Sequence, residues 1–296
     1  MENMKRVMGI ININDSSFYD SSRCFTFREI EERVEQMVKE KADILDFGAC
    51  STRPGSTPAS EEQEWNGIKL ALEVIKEQLK SEDSPCSRLF KSRGQRNALS
   101  IDTFRSSIVE RAYDFIGEFT INDISAGEDD PRMLSTAGML KLPYIAMHKR
   151  GTPADMQNHC NYENGVTKEV IEYFKRFEFK ALEHGIAEYI IDPGFGFAKS
   201  VEQNYRLLAE LGELKKSLCR PRREGGRNIP LLVGLSRKSM IWRPLEITPQ
   251  QALSATNALN LQALVNGADI LRVHDVAMAV ECLKLYRLLY PYLDKD

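Results

Sequence analysis

The feature that most constrains this chain is a repeat of element types. Short apolar runs alternate with longer stretches of helical periodicity, about eight times over. The runs occupy residues 7–13, 44–48, 99–102, 119–123, 144–147, 189–192, 231–234 and 270–273. They are continuously apolar, the pattern of parallel strands covered on both faces, and do not alternate as a half-wet strand would. The longer stretches are amphipathic. Residues 27–41 place Ile30, Val34, Met37 and Val38 on one helical face. Residues 65–79, 166–184, 204–218, 249–266 and 277–289 read the same way, with shorter helices at 104–114 and 131–137. Ser60 with Gln63 three residues later is a helix-start signal.

Repeated strand–helix units either close into a barrel or open into a doubly wound sheet. Eight units in 296 residues suit the closed form. No Gly-x-Gly-x-x-Gly follows the first run, so the usual mark of a dinucleotide-binding sheet is missing. The expectation is an α/β fold, a (β/α)8 TIM barrel forming a single domain over residues 1–296. Two polar segments, 81–97 and 217–228, interrupt the rhythm between a helix and the next strand. They carry Arg88, Lys91, Arg93, Arg220, Arg222 and Arg223, and read as solvated insertions at the N-terminal face.

Composition excludes several classes. A net charge of −3 gives no reason to expect a nucleic-acid partner. No apolar run reaches the ~18 residues of a membrane span. Residues 1–6 lack the zones of a secretory signal. Six cysteines, at 24, 50, 86, 160, 219 and 282, have no paired spacing, which suits a reducing cytoplasm better than a disulfide framework or a zinc site.

In such a barrel the site forms at the C-terminal ends of the strands. Those ends read Asn12; Ser51-Thr52-Arg53-Pro54-Gly55; Asp102; Asn122-Asp123; Met147-His148-Lys149-Arg150; Asp192-Pro193-Gly194; Ser236-Arg237-Lys238-Ser239; and Arg272-Val273-His274-Asp275. A barrel needs no such charge for stability, and burying it is costly. Asp102, Asn122, Asp192 and Lys238 supply acceptors and donors suited to a flat heterocycle with an amidine-like edge. Arg53, Arg272 and His274, with the helix start after Ser236, suit a phosphate or carboxylate. Asn12 offers a neutral oxygen to a hard cation such as Mg²⁺. Other positions have blander readings. Asp46 reads equally as a structural acceptor or a ligand, and His148 as a ligand or a satisfied core group. Asp123 reads as a loop cap, Arg237 as a salt-bridge partner, and His159 and His184 as surface residues.

Eight strings in order, among them Ser51-Thr52-Arg53-Pro54-Gly55, Ile191-Asp192-Pro193-Gly194-Phe195-Gly196-Phe197 and Leu271-Arg272-Val273-His274-Asp275, resemble the motifs of the dihydropteroate synthase family. The resemblance covers nearly the whole chain, from Met8 to about Leu289. It implies a homodimeric barrel, a target of sulfonamides, that joins 6-hydroxymethyl-7,8-dihydropterin diphosphate to p-aminobenzoate. Asp102, Asn122, Met147, Asp192, Lys238 and Arg272 would then hold the pterin. Asn12, Thr52, Arg53, Arg272 and His274 would hold pyrophosphate, with Asn12 on Mg²⁺. Phe18, Thr52, Pro54, Phe197, Lys238 and Ser239 would form the p-aminobenzoate site, and Asp20, Arg53, Lys238, Arg272 and His274 would serve the chemistry. Two strings depart from the family pattern. Ile13-Asn14-Asp15-Ser16 stands where the family usually has Val-Thr-Pro-Asp, and the missing Pro frees a backbone angle. Cys50 stands where Glu is common. The altered first loop motivates one rival reading, a non-catalytic pterin-binding paralogue; a second, a methyltetrahydrofolate-dependent methyltransferase, would share the Asp102, Asn122 and Asp192 type of pocket but has no pyrophosphate to lose.

Overall fold

A computed structural model describes residues 5–13, 26–51, 58–152, 154–218 and 228–293. All eight expected strands form: β1 (Arg6–Asn12), β2 (Ile44–Gly48), β3 (Leu99–Asp102), β4 (Thr120–Asp123), β5 (Tyr144–Met147), β6 (Tyr189–Asp192), β7 (Leu232–Val233) and β8 (Ile270–Val273). They pair in parallel in the order β6-β5-β4-β3-β2-β1-β8-β7. A parallel bridge between Ile191 and Leu231 joins β6 to the run leading into β7 and brings the sheet round to a nearly closed barrel.

Helices fill the connections: α1 (Phe27–Lys39), α2 (Glu61–Leu79), α3 (Pro85–Arg93), α4 (Gln95–Ala98), α5 (Ser106–Ile116) and α6 (Met133–Met139) in the first half. The second half has α7 (Val166–Glu183), α8 (Val201–Ala209), α9 (Leu211–Leu218), α10 (Ser239–Trp242), α11 (Leu253–Val265) and α12 (Val276–Leu289). Full capping boxes start three of them, Thr26 with Glu29 before α1, Ser60 with Gln63 before α2, and Ser200 with Gln203 before α8. Gly9 lets α1 lie close to β1, because an added Cβ would stand 2.6 Å from the Met37 sulfur.

Successive strand residues face opposite ways, and the two faces differ. Val7, Ile11, Leu45, Phe47, Leu99, Ile101, Val233 and Leu271 join the large core between strands and helices. Met8, Ile44, Ile145, Leu232 and Ile270 form a separate small cluster inside the barrel, with Ile190 against it. Two residues further along β2, β6 and β8 the inward positions are Asp46, Asp192 and Arg272, and Asp102 and Asn122 stand at the ends of β3 and β4, two residues beyond Ser100 and Thr120. β2, β6 and β8 are therefore apolar on both faces only over their N-terminal halves. That is the finer pattern beneath the continuous apolar reading.

Two expectations need correction. The single helix expected over 204–218 is two, α8 and α9, parted at Glu210. Leu207, Leu208, Leu211, Leu214 and Leu218 are buried through the break, so hydrophobic periodicity gives no sign of it. Segment 81–97 is not a solvated insertion. It folds as α3 and α4, with Ser84 capping, Pro85 in the first turn and Gly94 ending α3 at φ 79°. Cys86, Leu89 and Phe90 are buried where α3 meets α1 and α2. Its basic residues obscured the apolar face: Arg93 pairs with Asp43 and Lys91 with Glu82. Most of the second segment, 219–227, lies outside the described residues.

Phe90→Ala should therefore lower stability by about 3–5 kcal/mol, as for a buried aromatic. Urea denaturation checks this; a loss below about 0.5 kcal/mol would return the segment to solvent.

Candidate active site

The mouth of the barrel is organised by one carboxylate. Asp46 is completely buried at the inward position two residues beyond Ile44. It accepts from Arg272 Nε at 2.7 Å and from Asn122 Nδ2 at 3.2 Å. Arg272 Nη2 reaches Asp102 at 2.6 Å, so one guanidinium bridges two acids across the barrel. Gly48 lies beside Asp102 in the ladder and beside Asn12 on its other side. A Cβ at Gly48 would come within 3.3 Å of the Asp102 side chain, so the missing side chain leaves room between Asn12 and Asp102.

The opposite wall comes from β6 and β7. Asp192 Oδ1 accepts from the Gly194 amide at 2.8 Å, which turns the backbone at the strand end. Gly194 has φ 72°, and an added Cβ would meet the His148 carbonyl oxygen at 1.9 Å, so β5 and the β6 loop touch only because no side chain intervenes. Lys238 Nζ donates to the Phe195 carbonyl and lies 5.0 Å from the centre of the Phe197 ring. Behind this loop sits Lys199, whose Nζ donates to the carbonyls of Gly194 at 2.9 Å and Phe197 at 3.0 Å and to His148 Nδ1 at 3.0 Å.

Loops 7 and 8 are strapped together. Arg237 grips Asp275 with two bonds, 2.9 and 3.0 Å, and also donates to the carbonyls of Pro249 and Gln250. The His274 amide donates to Ser236 Oγ at 3.3 Å, and its carbonyl accepts from Arg33 at 2.7 Å. Lys238, Ser239 and His274 are thus presented from one braced corner. Helix α10 after them is a single turn with Lys238 at its N-cap.

Burial sets the titration of this cluster. It pushes Asp102 up to about 7, against the pull of Arg272. It raises Asp192 too, with Lys238 opposing. It lowers Lys238 to about 8 and Lys199 to about 7, and drives His148 well below its ordinary value, with Lys199 beside it adding to the effect. Arg272 moves upward because its two acids outweigh its desolvation.

The comparisons with known proteins meet this geometry. The family described as pterin binding enzyme matches residues 8–274. The chain belongs to the pterin-binding enzyme family, among the dihydropteroate synthases. It is 35% identical over 284 residues to the dihydropteroate synthase of Haemophilus influenzae, covering 95% of this chain and 93% of that one. It is 33% identical to the Escherichia coli K12 enzyme over 281 residues, covering 94% and 89%. Among solved structures, Yersinia pestis dihydropteroate synthase with a sulfonamide drug superposes with a TM-score of 0.83 at 30% identity, over 97% of this chain and 95% of that one. The Coxiella burnetii enzyme with pteroic acid gives 0.78 at 28%, over 98% and 94%. The Xanthomonas albilineans enzyme with 4-aminobenzoic acid gives 0.76 at 33%, over 97% and 93%. Membership makes the chain an enzyme, a transferase of folate synthesis.

Of the residues expected in a dihydropteroate synthase site, Asp102, Asn122 and Arg272 share one hydrogen-bonded cluster. Met147 is buried and is the ladder partner of Asp192. Phe197 and Lys238 are in contact, with Ser239 next in the chain. Phe18, Asp20, Thr52, Arg53 and Pro54 lie outside the described residues. Asp123 caps its loop, accepting from Ser125, Gly127 and Tyr144. His159 pairs with Asp155 at the surface and His184 is exposed. His148 is a packed core group against Lys199 and the Tyr173 ring. Sequence reasoning left Asp46 undecided, although its parity with Ile44 and Gly48 aims it inward. It missed Lys199 altogether, since a lysine after a glycine-rich turn normally signals solvent. It also missed Glu64 and Arg105. Glu64 is fully buried on α2, pairs with Arg105 and accepts from Thr103, while Arg105 donates to the Ala59 carbonyl just ahead of α2.

A pH test follows. Burial raises the folded carboxyl of Asp102 above its ordinary value of 3.8, so its contribution to stability is full below pH about 4 and lost as pH rises towards about 7. Binding to a ligand that donates to the ionised carboxylate runs the other way. Pterin affinity, measured by calorimetry, should rise by up to about tenfold from pH ~6 to pH ~8. Asp102→Asn should weaken binding and remove this rise. Lys199 and Lys238 lose charge over the same range, so a rise that persists in Asp102→Asn would assign it to them instead.

Proposed function

We propose that the barrel mouth binds 6-hydroxymethyl-7,8-dihydropterin diphosphate with its ring edge on Asp102, Asn122 and Asp192, and couples it to p-aminobenzoate with loss of pyrophosphate. The observation that carries this reading is the hydrogen-bonded row of buried Asp46 and Asn122 with half-buried Asp102 and Arg272, which presents fixed acceptors and one amide at strand ends. A ring with adjacent N–H donors and a carbonyl is complementary to it; Lys238 can donate to the carbonyl. The pteroic acid of the Coxiella burnetii relative and the 4-aminobenzoic acid of the Xanthomonas albilineans relative support the substrate assignment. The p-aminobenzoate ring would lie against Phe197, between Lys238 and Ser239.

The reaction breaks the bond between the pterin methylene carbon and the diphosphate oxygen, and the aniline nitrogen then bonds to that carbon and releases a proton. A dihydropterin spreads the positive charge left at the methylene, so SN1-like departure is favourable. The residues need only stabilise charge already developing. Asp102 and Asp192 face the ring cation, and Arg272 and His274 face the leaving group. An aniline is a neutral nucleophile, so no strong base is required.

Mg²⁺ is proposed at Asn12. Among the described residues no group of three or more His, Cys, Asp or Glu side chains gathers as a ligand set. That fits a cation carried in by the diphosphate, which needs one neutral oxygen from the protein and space beside Gly48. When bound, the ion would offset leaving-group charge.

Two further readings belong here. A cytoplasmic location is supported by the free state of Cys50, Cys86 and Cys282. No helix among the described residues is long and apolar enough to cross a membrane. A homodimer would cover the exposed Leu285, Leu288 and Tyr292 at the C-terminal end of α12 and just beyond it.

Turnover of the pterin diphosphate with p-aminobenzoate tests the reading. Dihydropteroate and pyrophosphate should form, EDTA should suppress the rate, and Asn12→Ala should raise the Mg²⁺ concentration needed for half-maximal rate. Lys238→Ala should cut kcat/KM by about a hundredfold, as for one preorganised donor. Pterin binding without turnover would favour the non-catalytic paralogue, and full activity in EDTA would remove the metal. Light scattering should give twice the chain mass, and Leu288→Glu should return it to one chain; a wild-type monomer ends the dimer reading.

A further inference from the structure

The other end of the barrel holds a cavity of about 450 Å³, within the size range of small-molecule pockets. Its floor is the inner apolar layer, Ile44, Ile145 and Ile190. Arg6, the first residue of β1, lines it together with Thr120 and Glu188. Among the described residues the charges around this end do not balance. Asp43 is held by Arg93 and by the Val7 amide. Asp269 is held by Lys5 at 3.0 Å and Lys215 at 2.7 Å, and accepts from the Leu231 amide. Glu188 is paired with Arg96. Among the described residues, and apart from the Glu188–Arg96 pair, Lys5, Arg6, Arg93 and Lys215 are thus four cations facing two carboxylates, Asp43 and Asp269. Arg6 is the surplus one. It feels both acids at a distance, yet among the described residues its side chain donates no hydrogen bond and has no carboxylate within 4.0 Å. A partly buried guanidinium with its donors unspent beside an apolar floor is an incomplete arrangement.

We infer that this cavity is a second binding site, for a small organic carboxylate whose apolar body of about one ring rests on Ile44, Ile145 and Ile190 and whose carboxylate takes the Arg6 fork. The charge favours an anion, the floor favours an apolar body, and the volume limits its size. The site lies across the barrel from Asp102 and Arg272, separated from them by the inner apolar layer, and does not depend on the reading of the strand-end site. Asp46 and Ile44 are two residues apart on β2, so a ligand at the floor would press on the layer that supports the Asp46 cluster.

Benzoate is the probe. With isoleucine δ1 methyls labelled for NMR, benzoate should shift Ile44, Ile145 and Ile190 saturably. Those three methyls report this cavity even if benzoate also enters the p-aminobenzoate pocket. Arg6→Gln should weaken that binding at least about tenfold, the loss of a charge-assisted pair. It should leave basal turnover unchanged, because Arg6 touches nothing in the strand-end site. Benzyl alcohol should shift the same methyls no more strongly in the wild type than in Arg6→Gln. Methyls that do not move up to the solubility limit of benzoate, or equal affinities in wild type and Arg6→Gln, would overturn the inference. Because among the described residues the Arg6 side chain donates no hydrogen bond, and its backbone bond to Asp269 is kept by glutamine, the variant should retain the wild-type methyl spectrum.

Discussion

Asp46 accepts from both Arg272 and Asn122 with no exposure to solvent, and the rest of the site is arranged around that fact. A lone buried carboxylate is strongly unfavourable, and so is a lone buried guanidinium. Placed 2.7 Å apart, with Asp102 on the second nitrogen of the fork, they satisfy one another and freeze the geometry. Two acids share one cation, which leaves Asp102 short of compensation. That shortage is why burial moves it so far up, and why it remains an acceptor in search of donors. A ligand with N–H groups completes what the protein leaves incomplete.

The fold makes this cluster possible by dividing the barrel interior into layers. β2, β6 and β8 each contribute an apolar inward residue near the start and a polar one two positions later, and β3 and β4 end in Asp102 and Asn122 beside them. The apolar layer closes the barrel and excludes water from below. The polar layer above it is exposed to the mouth but lies in a poorly solvated wall, where hydrogen bonds gain strength. Around the rim, bracing has the same logic. Lys199 holds the β6 loop through three acceptors, Arg237 ties the loop after β7 to the loop after β8, and the Glu64–Arg105 pair holds the backbone at Ala59 ahead of α2. Each is a buried or half-buried charge used for position.

The two ends of the barrel treat charge differently. At the mouth, Arg272 is shared between two acids. At the floor, the acids are taken by Lys5, Lys215 and Arg93, and Arg6 is left over. The same residue type is fully committed at one end and available at the other. What separates the cases is which neighbours compete for the carboxylates, and strand position alone does not reveal that.

The sequence by itself determined the strand count, the parallel topology and the face that carries the site. Each depends on local patterns: apolar runs of strand length, amphipathic connections, and polar residues following the runs. It also displayed Asp102, Asn122, Asp192, Lys238, Arg272 and His274, because a strand end is a position along the chain. Only the tertiary structure decided what those residues bond to. Asp46 became the organising acceptor because β2 lies within reach of β4 and β8 side chains across the barrel. Segment 81–97 became packed helix because α1 and α2 offered an apolar groove that its charge content concealed. Lys199 became a buried clamp because three acceptors from separate positions converge on one nitrogen. Convergence of distant residues is a property of closure, and closure leaves no local trace in the order of the amino acids.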